Sequence, residues 1–119
     1  MNKAISQTNV GLVIQYATMT MDRDLAVTLA YILSMQKTRI NELRKHLERF
    51  KVHRINEKLV MLSRLGIIKM SGDIVELSDD VRKLVIKNKK LFRTVIDALN
   101  GLSLLCETPW DTGNPPSLP

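Results

Sequence analysis

Between Gln36 and Lys69 ten basic side chains stand against three acidic ones: Lys37, Arg39, Arg44, Lys45, Arg49, Lys51, Arg54, Lys58, Arg64 and Lys69 against Glu42, Glu48 and Glu57. Guanidinium and ammonium groups at this density are the chemistry of phosphate binding, where each neutralised phosphate releases counterions and strengthens association. The flanking segments carry no such excess. Residues 1–35 sum to zero and residues 70–119 to −1, so the net charge of +6 and the pI near 9.7 belong to one stretch of a 119-residue chain. Two side chains add the means to tell bases apart. Arg54 could fork onto guanine O6 and N7, and Asn56 could pair with adenine N6 and N7.

Other chemistries find little support. Cys106 is the single cysteine, which excludes an intramolecular disulfide and a four-cysteine zinc site. His46 and His53 are not spaced with a carboxylate or thiol that would complete a metal site. No phosphate-cradling glycine loop and no nucleophile elbow occurs, and the paired Asp79 and Asp80 read as helix-start charge. The expectation is a protein without catalytic residues, metal or cofactor. The apolar stretch Leu25–Leu33 is too short to cross a bilayer, and Gln7, Thr8 and Asn9 interrupt any leader-like start. A cytoplasmic or nucleoid-associated location is expected.

To present cations to a duplex the chain needs a rigid frame, and apolar spacing supplies one. Residues 1–21 read as an N-terminal extension in which Val10, Leu12, Val13, Ile14 and Tyr16 fit a strand or a short helix, the helix being preferred. Asp22 or Asp24 caps a first core helix over roughly Leu25 to Met35, with Leu25, Leu29, Ile32 and Leu33 on its buried face. Thr38 caps a second, roughly Arg39 to Phe50, whose Ile40, Leu43, Leu47 and Phe50 form one stripe. A break at Lys51-Val52-His53, with neither glycine nor proline, leads to a third helix from Arg54 to Leu65 that turns Ile55, Leu59, Leu62 and Leu65 inward. A single helix over 39–65 is the alternative. The step of five from Phe50 to Ile55 leaves the helical repeat and favours two helices.

Gly66 stops the third helix. Two β-prone runs follow, Ile67–Met70 and Ile74–Leu77, joined by the hairpin-turn residues Ser71-Gly72-Asp73. Ser78, backed by Asp79 and Asp80, caps a last helix reaching about Leu105. Its Leu84, Leu91, Val95, Leu99 and Leu102, with Phe92 beside them, approach a heptad seam, which predicts burial against a second copy of the chain. Gly101 is placed to end or bend that helix. Residues 106–119 contain all four prolines and read as an irregular tail. The order of elements specifies a mainly α fold with a small β-hairpin wing. It is a winged helix-turn-helix over residues 22–78 with a long C-terminal dimerisation helix over 79–105.

At Leu59-x-x-Leu62-x-x-Leu65-Gly66-Ile67-Ile68, then Ser71-Gly72-Asp73 and Val75-x-Leu77-Ser78, the chain resembles winged-helix transcriptional regulators of bacteria and archaea. The ArsR, MarR and PadR types and the small winged-helix proteins of archaea and their viruses share this passage. The resemblance covers roughly residues 22–100. It implies dimers whose two recognition helices enter successive major grooves of a palindromic site. Carried over by position, the base readers would be Val52, His53, Arg54, Asn56, Glu57 and Lys58, with Met61 behind them. The ArsR-type metal-binding cysteines are missing, and no insertion for an effector is evident.

The phosphate candidates are Lys37, Thr38, Arg39, Arg44 and Lys45 around the second helix, Arg64 on the third, and Lys69 and Ser71 at the wing. A second basic cluster, Lys83, Lys87, Lys89, Lys90 and Arg93, reads as a solvated helix face. The expected function is sequence-specific binding of double-stranded DNA by a homodimeric repressor. Two alternatives remain: a winged helix used to dock a protein partner in a larger assembly, and an architectural protein binding DNA without sequence preference.

Overall fold

The computed structural model describes residues 7–106. Helix α1 spans Asn9–Met19, so the helical reading of the N-terminal extension holds; the Thr8 hydroxyl caps it by accepting from the Gly11 N–H at 3.1 Å. Helix α2 spans Arg23–Met35 with Asp22 as its cap, the carboxylate accepting from Leu25 N–H at 3.1 Å. This helix is buried nearly all round, from Leu25 to Ala30 and again at Ile32 and Leu33. A helix without a polar face belongs at the centre of a core. Helices α1, α3 (Ile40–Arg49) and α6 (Lys89–Cys106) pack around it.

The remaining elements are β1 (Lys37–Arg39), α4 (Ile55–Arg64), β2 (Ile68–Ser71), β3 (Ile74–Leu77) and α5 (Asp79–Lys87). Among the described residues the protein is mainly helical, with one three-stranded antiparallel sheet ordered β1-β3-β2. In the hairpin Ser71 pairs with Ile74, leaving Gly72 and Asp73 as a two-residue turn. Gly72 has φ +60, the conformation that such a turn asks of its first central residue. The Asp73 carbonyl then accepts the Ile40 N–H at 2.7 Å and ties the hairpin to the start of α3. Among the described residues no helix is long and apolar enough to cross a membrane.

Strand β1 corrects the expectation for Thr38. It is buried in the sheet opposite Val75 and does not cap α3; Arg39 holds the cap position without a side-chain bond. Ser78 occupies the cap position of α5, yet its hydroxyl donates to the Gly66 carbonyl at 2.6 Å. Leu65 ends α4 about one-third exposed instead of facing inward.

The largest correction concerns the C-terminal helix. It breaks at Asn88 (φ −125, ψ 49), where both the backbone N–H and the side-chain amide donate to the Leu84 carbonyl. An asparagine side chain that competes for a helix carbonyl favours such a break. Beyond it, α6 packs along α2 of its own chain. Phe92, Leu99 and Leu102 are buried there, and Leu84, Leu91 and Val95 lie partly buried against the same core. Phe92, Leu99 and Leu102, half of the seam expected to meet a second copy, are therefore closed within the protomer. Helix α6 runs through Gly101 to Cys106, and the tail with Trp110 lies outside the described residues.

Candidate nucleic-acid interface

Helices α3 and α4 are joined by the five residues from Phe50 to Arg54. The turn forms without glycine because Lys51 takes the left-handed conformation, φ 57. Its N–H donates to the Glu48 carbonyl at 2.9 Å, and the Val52 N–H donates to the Leu47 carbonyl at 2.9 Å. These are the two bonds of a Schellman motif, which is completed by an apolar pair at the positions of Val52 and Leu47. Both are buried. Val52 is therefore a core residue, and its expected role as a base reader is withdrawn. Because a side chain in the left-handed region costs roughly 1 kcal/mol, Lys51→Gly should stabilise the fold by up to about that amount in urea denaturation. A loss of stability would show that the lysine side chain holds the turn.

The turn is pinned from α2 by two residues that sequence reasoning passed over. Asp24 Oδ2 accepts the His53 N–H at 2.9 Å and lies 3.3 Å from His53 Nδ1. Arg23, 3.2 Å from Asp24 Oδ1, donates its Nη2 to the Phe50 carbonyl. The contacts span 27 and 29 positions along the chain, a separation that no local pattern reports. Asp24 was visible only as an alternative helix cap.

The first turns of α4 present His53, Arg54, Asn56 and Glu57 to solvent, with Lys58 half-buried and Met61 and Arg64 exposed further along. Arg54 is itself left-handed, φ 55, and its side chain is 78% exposed with one nitrogen 3.8 Å from Glu57. Arg44 of α3 donates to Asn56 Oδ1. The amide oxygen has a second lone pair for a base. Lys58 Nζ donates to the His53 carbonyl at 2.6 Å, which fixes the turn and leaves two ammonium donors. Gly66 closes α4 at φ +76, with Ile67 N–H on the Leu62 carbonyl at 3.0 Å. That is the same C-terminal motif, here on the residue best suited to it.

Strand register gathers a second group. Lys37 and Lys69 flank Glu76 across the sheet, and Arg39, Ile74 and Ser71 form the next row on the same face. Arg82 holds Glu76 at 2.6 Å, and Lys69 lies 3.4 Å from Asp79. The Lys69–Asp79 pair is exposed, and such pairs contribute about 0–1 kcal/mol, so a phosphate can replace Asp79 as the partner of Lys69. Thr38, turned to the other face and buried, is removed from the phosphate candidates.

His46 is built into the frame behind these surfaces. Its ring stacks on Tyr31 of α2 at 4.2 Å between centroids and meets Phe50 at 4.8 Å. Burial, and then the neighbouring Arg49 guanidinium, hold its pKa below the ordinary imidazole value. The unfolded chain thus binds the proton more readily, and stability is lost as pH falls below about 6.5. Thermal unfolding at successive pH values from 8 to 5 should show this decline, and His46→Gln should make it shallower. An unchanged slope in the variant would assign the acid sensitivity to other groups.

The structure thus joins Arg44 to Asn56, Lys58 to the turn, and Lys37 to Lys69 across Glu76. It leaves Lys45 exposed on α3 and removes Val52 and Thr38 from the surface. Comparison with protein-family models, with curated proteins and with solved structures gave no match.

Proposed function

We propose that the protein is a winged helix-turn-helix regulator that binds double-stranded DNA as a homodimer and represses transcription by covering a promoter. Helices α3 and α4 are the helix-turn-helix, α4 enters the major groove by its N-terminal turns, and the β2–β3 hairpin is the wing. The reading is carried by one observation. None of the ten basic residues between Gln36 and Lys69 is buried, and all lie on α3, α4, their turn or the outer face of the sheet. A module built only to dock a protein has no need of that belt. Arg54, Asn56 and Glu57 supply the base-edge chemistry, and Lys37, Arg39, Arg44, Lys45, Arg64 and Lys69 the phosphate contacts.

The test is binding to the DNA upstream of the protein's own coding sequence and to a scrambled duplex, each titrated over salt. Preference for the first with a steep salt slope supports a sequence-specific repressor. Equal binding to both would instead describe an architectural protein, and absence of binding at low salt would remove the DNA reading. Lys45→Ala should weaken both duplexes alike and reduce the slope of log K against log salt by about 1. A selective loss on one duplex would make Lys45 a base reader.

A further inference from the structure

Where the break at Asn88 meets the C-terminal end of α2, a groove of about 610 Å³ opens along the first turns of α6. Its floor is apolar: Leu33, Val85 and Phe92 are buried there and Ile96 is half-buried. The rim is cationic. Lys89, Lys90 and Arg93 stand exposed on it, and Asp97 lies one turn past Arg93. With Lys83 and Lys87 of α5 these three cations make up the second basic cluster. Among the described residues none of the five forms an ion pair, whereas Lys69 and Arg82 both have carboxylate partners. An apolar floor under a cationic rim suits an occupant that carries a flat apolar group beside a carboxylate.

We propose that residues 107–119 of the same chain occupy this groove, with the Trp110 indole on the Ile96 end of the floor and Asp111 beside Arg93. The inference stands apart from the DNA reading. Charge selects this segment. It carries Glu107 and Asp111 and no basic residue, −2 in all, against 3 − 1 = +2 for the three cations and Asp97 on the rim. Trp110 and Asp111 are the adjacent aromatic and carboxylate that floor and rim ask for, and Arg93 can stack on the indole as well as pair with Asp111. Reach agrees. Helix α6 ends at Cys106, and Ile96 lies ten residues back, about 15 Å along the axis. The four residues from Cys106 to Trp110 extend about 14 Å, and the indole reaches further. By the same count Asp111 extends about 17 Å toward Arg93, about 20 Å back, and the long arginine side chain closes the difference. Direction agrees as well. Position 107 comes eleven residues after Ile96, about three turns of helix, so the chain leaves α6 on the groove's side. Tethering supplies an effective concentration on the order of 1 mM, so contacts too weak to hold a separate peptide can hold this segment. Docked, it neutralises the rim and leaves the belt between Gln36 and Lys69 as the dominant cationic surface.

Trp110 is the single tryptophan, so fluorescence of the full chain reads the contact directly. Its emission should lie to the blue of free tryptophan and resist acrylamide quenching, equally at high and low protein concentration. Arg93→Glu and Asp111→Lys should each shift the emission back toward the free value. Helical content should not change in Arg93→Glu, since that position is exposed. Combining Arg93→Glu with Asp111→Arg should restore the blue-shifted emission. Lys45→Glu, on the exposed face of α3, should leave it as in the wild type. Emission like that of free tryptophan in the wild type would overturn the proposal, and so would a shielded Trp110 indifferent to Arg93→Glu and Asp111→Lys. Release by Lys45→Glu would put the acidic segment on the basic belt instead, and release on dilution would make the occupant a second copy's segment. Either result overturns the proposal.

Discussion

Phe92→Ala is expected to lower folding stability by about 3–5 kcal/mol, the range for emptying an aromatic site in a packed core. Phe92 is the largest fully buried side chain on α6, 1% exposed, and α6 lies along α2 of the same chain. A domain of this size has roughly 5–15 kcal/mol in total, so the variant should unfold at a markedly lower temperature. Because the site is closed within one protomer, the loss relative to wild type should be the same at two protein concentrations a hundredfold apart. A cost below 1 kcal/mol, or one that grows on dilution, would return the α6 seam to an intersubunit role.

Arg54→Ala should cost about 1–3 kcal/mol on the preferred duplex and relax the preference at one base pair, with less effect on a scrambled sequence. The position needs a control, since Arg54 lies at φ 55 as the residue before α4. Alanine there keeps the left-handed strain that arginine already bears, whereas glycine removes the guanidinium and relieves that strain. If the side chain reads a base, Arg54→Gly and Arg54→Ala lose preference together. If only the turn matters, Arg54→Gly keeps it. A footprint and preference unchanged in both would take Arg54 out of the readout.

Much of the frame was legible because each element carries its own local signal. Asp22 before α2, Gly66 after α4 and the Ser71-Gly72-Asp73 turn are short-range chemistry, and the structure uses all three where the residues stand. The misses arise where long-range contacts decide. Strand β1 is three residues with charged ends, too short for periodicity, and exists because β3 pairs with it. Val52 reads as a loop residue between two basic side chains, and it is buried because the Lys51 conformation folds it back toward Leu47. An apolar stripe on α6 states that a face is buried but not which chain buries it. The candidate site follows the same division. Arg54, Asn56, Lys37 and Lys69 were identifiable by type, whereas the Arg23–Asp24 clamp and the pairing of Arg44 with Asn56 required the fold.

In the proposed function the N-terminal turns of α4 and the basic face of the sheet form the DNA-binding surface. Backbone amide shift mapping by NMR on adding a short duplex at low salt tests it most directly. The largest changes are expected at His53–Met61, at Lys37 and Arg39, and around Lys69–Gly72, with α6 unmoved. Changes confined to α5 and α6, around Lys83–Arg93, or no changes at all, would contradict it.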